Sequence, residues 1–240
     1  MKHLNTLDLL PLTAACLLAA TCAPIIAAEH PQIDRNQGWV SLFNGVDLDG
    51  WKTTDVRGGT EPNAWVVEDG CITRKAKGYL ASIGQYGDFI LDLEFKVGPK
   101  TNSGIFLRYD PKYAAGEKIY WWNGLLEVQL FDSFGKTQTD KHDCGALYDM
   151  LAPKPNTMHP PGQWNRITIT AKGSRIAIVL NGARVVEANL DDWTQAEKNP
   201  DGTPNKYHKP MKDVPRRGQL VLQDHPGEIF FRNIHLKPLD

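Results

Sequence analysis

The chain has 240 residues, 41% of them hydrophobic and 23% charged, the profile of a folded globular protein rather than a disordered or collagen-like one. Its 27 basic and 28 acidic side chains leave a formal charge of -1, with a pI of about 6.7. That balance argues against nucleic acid as a partner, because such affinity comes from Lys and Arg clustered against phosphate.

Lys2 precedes an apolar run from Leu9 to Ala28 that ends in Ile26-Ala27-Ala28. This pattern resembles a secretory signal peptide, with residues 1–28 removed and the product exported to the periplasm or the extracellular space. Pro11 and Pro24 interrupt the run, and no later segment is apolar enough to suggest a membrane span. Cys22, after Leu18-Ala19-Ala20-Thr21, offers a lipid anchor as the lesser alternative. Residues 29–37 then form a short extension, and 38–240 a single domain. Cys71 and Cys144 are the two cysteines beyond the leader, and either one disulfide or two buried thiols would suit an exported chain.

Beyond the leader the dominant period is two. From Asp88 to Val97 every odd position is apolar, and every even one is polar except Ile90, as in a half-buried strand. Gly104 to Tyr109 reads as the next strand, and Leu126, Val128 and Leu130 alternate with Glu127 and Gln129. Ile167 and Ile169 form a further stripe, then Ile176, Ile178 and Leu180. Asn181-Gly182 suits a tight hairpin turn, so Ala183 to Glu187 should return antiparallel. Gly218 to Gln223 and Glu228 to Leu236 complete the strand candidates. Many strands separated by Gly, Pro and Asn predict an all-β fold, a two-sheet antiparallel jelly-roll sandwich. Ser133 to Gly162 and Thr194 to Arg217 are expected to be long loops. The second carries Lys198, Lys206, Lys209, Lys212, Arg216 and Arg217, and reads as a solvated basic loop in preference to a binding lid.

Phosphate-binding loops, His-Glu-x-x-His, Gly-x-Ser-x-Gly and Cys-x-x-Cys are all missing from the sequence. Three polar groups remain as candidates. Glu127 and Gln129 share a strand face, with Asp132 near its end; this resembles the paired carboxylates of jelly-roll glycosidases, except that an amide occupies the middle position. A plain polar outer face would look the same. Asn102 to Arg108 should place Arg108 opposite the core residues Ile105 and Leu107, or else in an ion pair. Gln223-Asp224-His225 sits where two strands join, a place where scaffolds often display catalytic groups, though hairpins also use Asp and Gly there. His142, Asp143, His159, His208, Asp224 and His225 are of metal-ligating type without diagnostic spacing, so a divalent metal is allowed but not required.

Phe43-Asn44-Gly45-Val46-Asp47-Leu48-Asp49-Gly50-Trp51, Trp65 to Gly70, Asn102 to Arg108, Glu127-Val128-Gln129, Gly145 to Asp149, Gly162 to Asn165, Leu222 to His225 and Phe231-Arg232-Asn233-Ile234 follow one another in order. Together they resemble the 3-keto-disaccharide hydrolase family, formerly a domain of unknown function with a concanavalin A-like lectin/glucanase fold. Cys144 and Pro226 depart from the family's pattern. The resemblance implies cleavage of glycosides whose C3 hydroxyl has been oxidised to a ketone. A C3 ketone acidifies the C2 hydrogen, so the C1 substituent can leave by elimination and water can then add. That chemistry needs a base, an enolate stabiliser and a proton donor, but no carboxylate nucleophile. It assigns Glu127 or His225 as base, with Asp224 orienting His225. Asn102, Arg108, Gln129 and Gln223 would hold sugar oxygens or the oxyanion, Tyr148 would act as acid or hydroxyl ligand, and Trp122 (or its neighbour Trp121) would stack on a ring. A noncatalytic lectin-like module, a conventional glycosidase and a structural exported protein are the competing readings.

Overall fold

The computed structural model describes residue 30 and residues 32–56, 59–115 and 125–239. The leader, Cys22, Trp121 and Trp122 lie outside the described residues. In chain order the strands are β1 (Val40–Ser41), β2 (Trp51–Thr54), β3 (Trp65–Glu68), β4 (Cys71–Arg74), β5 (Tyr79–Ser82), β6 (Phe89–Val97) and β7 (Asn102–Tyr109). Then come β8 (Leu126–Phe131), β9 (Trp164–Lys172), β10 (Arg175–Leu180), β11 (Ala183–Asn189), β12 (Gln219–Leu222) and β13 (Ile229–Pro238). Every pairing is antiparallel. One sheet runs β11-β10-β9-β6-β13-β4-β3, with β1 added on β13; the other runs β2-β5-β12-β7-β8. This is the two-sheet sandwich that the period-two pattern predicts. Among the described residues no helix is long and apolar enough to cross a membrane.

The alternation explains the layering. Phe89, Leu91, Leu93, Phe95 and Val97 of β6 point inward and meet Ile105, Leu107, Leu126, Val128 and Leu130 of the opposite sheet in one buried cluster. Burying each such side chain is worth about 1.5–3 kcal/mol, so a slip of one residue in any inner strand would expose its apolar set. The Asn181-Gly182 turn has both φ angles positive, 48° and 82°, as a right-twisted two-residue hairpin requires. Asp69-Gly70 does the same between β3 and β4, at 50° and 71°. Cys71 and Cys144 are buried free thiols, so the disulfide alternative is not realised. Enclosure in the core pushes the Cys144 pKa up to about 12.

On the outer face of the larger sheet, His30 covers a buried carboxylate. Asp92, 3% exposed, takes Arg166 Nε at 3.0 Å and the Thr168 hydroxyl at 2.5 Å. Since Thr168 donates to Asp92, it accepts from His30 Nδ1, at 2.9 Å. His30 Nε2 then accepts the Gly182 N–H at 2.9 Å, which only a neutral ring can do. Burial, and then the nearby Arg166 charge, lower the His30 pKa. A depressed histidine pKa stabilises the fold above the unfolded value of about 6.5, and that contribution is lost as pH falls through the folded value. We therefore expect His30→Ala to lower the melting midpoint near neutral pH and to flatten its fall on acidification below about pH 6.5, measured by thermal melts across pH.

Candidate functional site

The smaller sheet has a second face, turned away from the sandwich core. Phe106, Val221, Ala81 and Tyr79 pack together on it. Register places Glu127 opposite Phe106 and Gln129 opposite Gly104 on this same face. Gln223 continues β12 beside Gly104, donating its N–H to the Gly104 carbonyl at 2.9 Å. Residues 145–148 extend the sheet past β8: Gly145 N–H donates to Gln129 O at 2.8 Å and Tyr148 N–H to Glu127 O at 2.9 Å. Four predicted residues, Glu127, Gln129, Tyr148 and Gln223, therefore come from three separate chain segments onto one surface. Asn102 begins β7, two positions before Gly104 on the same face, with its Oδ1 buried.

Gly104 makes the arrangement possible. A Cβ there would lie 2.6 Å from Glu127 Oε1 and 3.1 Å from its Cγ. The missing side chain leaves room for the carboxylate to lean across β7 and accept Gln223 Nε2 at 2.7 Å. Glu127 is only 3% exposed. Burial raises its pKa; Lys206, with Nζ 3.5 Å from Oε2, and the Gln223 hydrogen bond act against that rise without cancelling it. Lys206 Nζ also sits 3.9 Å from the centre of the Tyr148 ring. The Tyr148 hydroxyl pKa is raised by burial and by the Glu127 charge beside it. His142 meets Tyr148 edge-on, ring centres 4.9 Å apart, and its ring nitrogens lie 3.3 and 3.4 Å from Asp140 and Asp149.

The basic stretch 194–217 is not merely a solvated loop. Asn199 anchors it: Oδ1 accepts from Trp193 Nε1 at 2.8 Å and from Asn205 Nδ2 at 3.0 Å, while Nδ2 reaches the Asp149 carbonyl at 3.3 Å. Lys206 N–H donates to Asp149 Oδ2 at 2.6 Å, and the Tyr207 hydroxyl donates to the Tyr148 carbonyl at 2.9 Å. These contacts deliver the Lys206 ammonium to Glu127. Its neighbours Lys198 and Lys212 are exposed, as expected.

Two expectations need correction. Arg108 does not share the Glu127 face. Two residues of β7, Leu107 and Arg108, stand between positions paired with Val221 and Gln219, where β12 has only one. Arg108 adopts φ 55° at this bulge and swings to the core side. Its guanidinium there holds the Gly87 and Gly173 carbonyls at 2.8 and 2.7 Å and Asp88 at 2.9 Å. Asp224, likewise, turns to Arg74 Nε and to the Gly78 N–H at 2.7 Å, anchoring the β4–β5 connection rather than a histidine. His225 follows it half-exposed, with Nδ1 buried. Asp132 accepts the Lys100 N–H at 2.9 Å, so it does not pair with Glu127 either. Among the described residues no three His, Cys, Asp or Glu side chains converge as a metal-binding group.

A two-sheet antiparallel sandwich with a polar, carboxylate-bearing face defines a protein of the all-β sandwich class. More narrowly, the chain belongs to the 3-keto-alpha-glucoside-1,2-lyase-like domain family, whose model matches residues 38–237. A relative from Bacteroides thetaiotaomicron, named 3-keto-disaccharide hydrolase, is 29% identical over 239 residues, covering 85% of this chain and 79% of its own. A crystal structure from Parabacteroides distasonis ATCC 8503, described as a "putative glycosyl hydrolase", superposes with a TM-score of 0.70 at 30% identity. It covers 84% of this chain and 99% of that one. A second structure from the same organism, with the same description, gives a TM-score of 0.67 at 24% identity, over 86% and 96% of the two chains.

The Gly104 contact yields a direct check. Gly104→Ala should cost about 1–3 kcal/mol in denaturant melts, because the methyl displaces a buried carboxylate. The Gly104→Ala/Glu127→Ala double variant should be far more stable than the two single costs predict if added.

Proposed function

We propose that this protein cleaves the glycosidic bond of 3-keto-glycosides, with Glu127 taking the C2 proton. The observation that carries the reading is a buried carboxylate, its proton affinity raised by burial, with amides, Lys206 and Tyr148 as the polar groups beside it on a partly apolar sheet face. A retaining or inverting glycosidase needs two carboxyl groups flanking the bond. Here Asp132 and Asp224 are both engaged elsewhere, and position 129 is an amide. Elimination needs only one such group. Glu127 takes the hydrogen from C2, the C2–H electrons form the enolate with the C3 ketone, and these electrons then expel the C1 oxygen. The departing oxygen takes a proton, for which the Tyr148 hydroxyl is the candidate. Water adding across the resulting C1–C2 double bond makes the net change a hydrolysis.

Lys206 replaces Arg108 as the candidate stabiliser of the enolate oxygen, since its ammonium reaches the base and the Tyr148 ring together. The same charge favours the ionised form of Glu127 and so works against its burial. His225 stays a second candidate base on chain position alone. Export through the residue 1–28 leader belongs to the same reading, and N-terminal sequencing of protein from the cell envelope tests it.

Glu127→Gln keeps an acceptor for Gln223 but removes the base. It should reduce kcat on a 3-keto-disaccharide by about 10²–10⁴-fold, and in deuterated water wild type but not the variant should place deuterium at C2. Wild-type turnover by this variant would refute the assignment, and sugar affinity with no product from wild type would mark a noncatalytic module. In Lys206→Met the Glu127 pKa rises further. The base works only when ionised, so the acidic limb of kcat/KM against pH should move to higher pH; an unmoved limb would separate Lys206 from the base.

A further inference from the structure

The amides around Glu127 are oriented, and their orientation has a chemical sense. Gln129 Nε2 donates to the His142 carbonyl at 3.1 Å, and Gln223 Nε2 donates to Glu127 Oε1 at 2.7 Å. Turning either amide over would set an oxygen against an oxygen, so both neighbours fix which end is which. The opposite ends, Gln129 Oε1 and Gln223 Oε1, are buried and have no hydrogen-bond partner among the described residues, on side chains only 2% and 6% exposed. Asn102 Oδ1, from the start of β7, is a third such oxygen. A buried acceptor left unpaired is costly, so three on one face around a carboxylate form a surface short of donors.

We infer that Gln129 and Gln223, with Asn102 beside them, are specificity-determining residues that read free hydroxyl groups on the sugar ring as hydrogen-bond donors. The inference rests on the saccharide reading of this face and narrows it. The preferred glycoside is neutral and carries unsubstituted hydroxyls where these oxygens meet it. Ketones, ethers, carboxylates and phosphates have no proton to give, so a sugar bearing one of these in place of such a hydroxyl is refused. The C3 ketone cannot itself face the amide oxygens, which leaves the Lys206 ammonium as the donor on its side of the ring.

Deoxyfluoro analogues test this, because fluorine matches hydroxyl in size and polarity but cannot donate. The probes are a 3-keto-disaccharide and its 4-deoxy-4-fluoro and 6-deoxy-6-fluoro forms, with each rate normalised to uncatalysed elimination in buffer. At least one fluoro form should lose roughly 5- to 150-fold in kcat/KM with wild type, the span that an unpaired buried acceptor implies. In Gln129→Met or Gln223→Met, whichever amide faces that position, the gap between parent and analogue should close to within about twofold, because the unpaired oxygen is gone. Thermal melts confirm that each variant is folded, and two variants guard against the loss of one. Fluoro forms cleaved as well as the parent, or a gap that survives in both variants, would overturn the inference while leaving the activity reading in place. If wild type turns over no 3-keto substrate, the activity reading falls. Calorimetric affinities for the unoxidised disaccharide and its fluoro forms then decide the hydroxyl reading by the same comparison.

Discussion

Everything on the candidate face depends on a charged group held where water scarcely reaches it. The Glu127 carboxylate lies over a strand whose residue at that point has no side chain, and it is kept there by one amide and one ammonium. Burial alone would drive the group to its neutral form. Lys206 and Gln223 oppose this, one by its charge and one by its hydrogen bond, without cancelling the rise that burial causes. Opposed burial and charge of this kind are how proteins shift the proton affinity of a carboxyl group.

The loops that look least structured in the sequence supply the opposing charge. Residues 145–148 lengthen the smaller sheet by hydrogen-bonding to the free edge of β8, and residues 199–207 are tied to that extension and to the adjoining Asp149 through Asn199, Lys206 and Tyr207. The Lys206 ammonium thus reaches Glu127 from a backbone fixed at several points, which limits the entropy lost in holding a long side chain against a carboxylate.

Much of this was legible in the sequence, and what was not has physical reasons. Most of the strands from β6 to β13 were visible because they repeat an apolar stripe over enough residues to establish a period, while the four-residue β12 stood out as a short apolar run. Strands β1 to β5 are four residues or shorter, too brief for alternation to stand out, though Asp69-Gly70 is a hairpin signal of the same kind as Asn181-Gly182. Alternation also placed Glu127 and Gln129 on one face correctly. It failed at Arg108, because counting by twos assumes an unbroken ladder and one extra residue in β7 reverses the parity beyond it. Tyr109, rather than Arg108, accordingly joins Phe106 on the outer cluster. Lys206 was hidden for another reason. In a stretch rich in Lys and Arg, only tertiary contacts distinguish the lysine that meets a buried carboxylate from those that meet solvent.

The bulge at Leu107–Arg108 also bears on which changes of length the domain tolerates. Upstream of it the even-numbered positions of β7 look outward, while beyond it Tyr109 does so. Deleting one residue there would straighten the strand and keep Tyr109 outward, leaving a single core-side position where Leu107 and Arg108 now both fit. Loss of Arg108 would leave the Gly87 and Gly173 carbonyls without their clamp, and loss of Leu107 would put a guanidinium in the place of a buried leucine. A single-codon gap in this short stretch is therefore a heavier insult than most point substitutions, and natural variation in length should concentrate elsewhere.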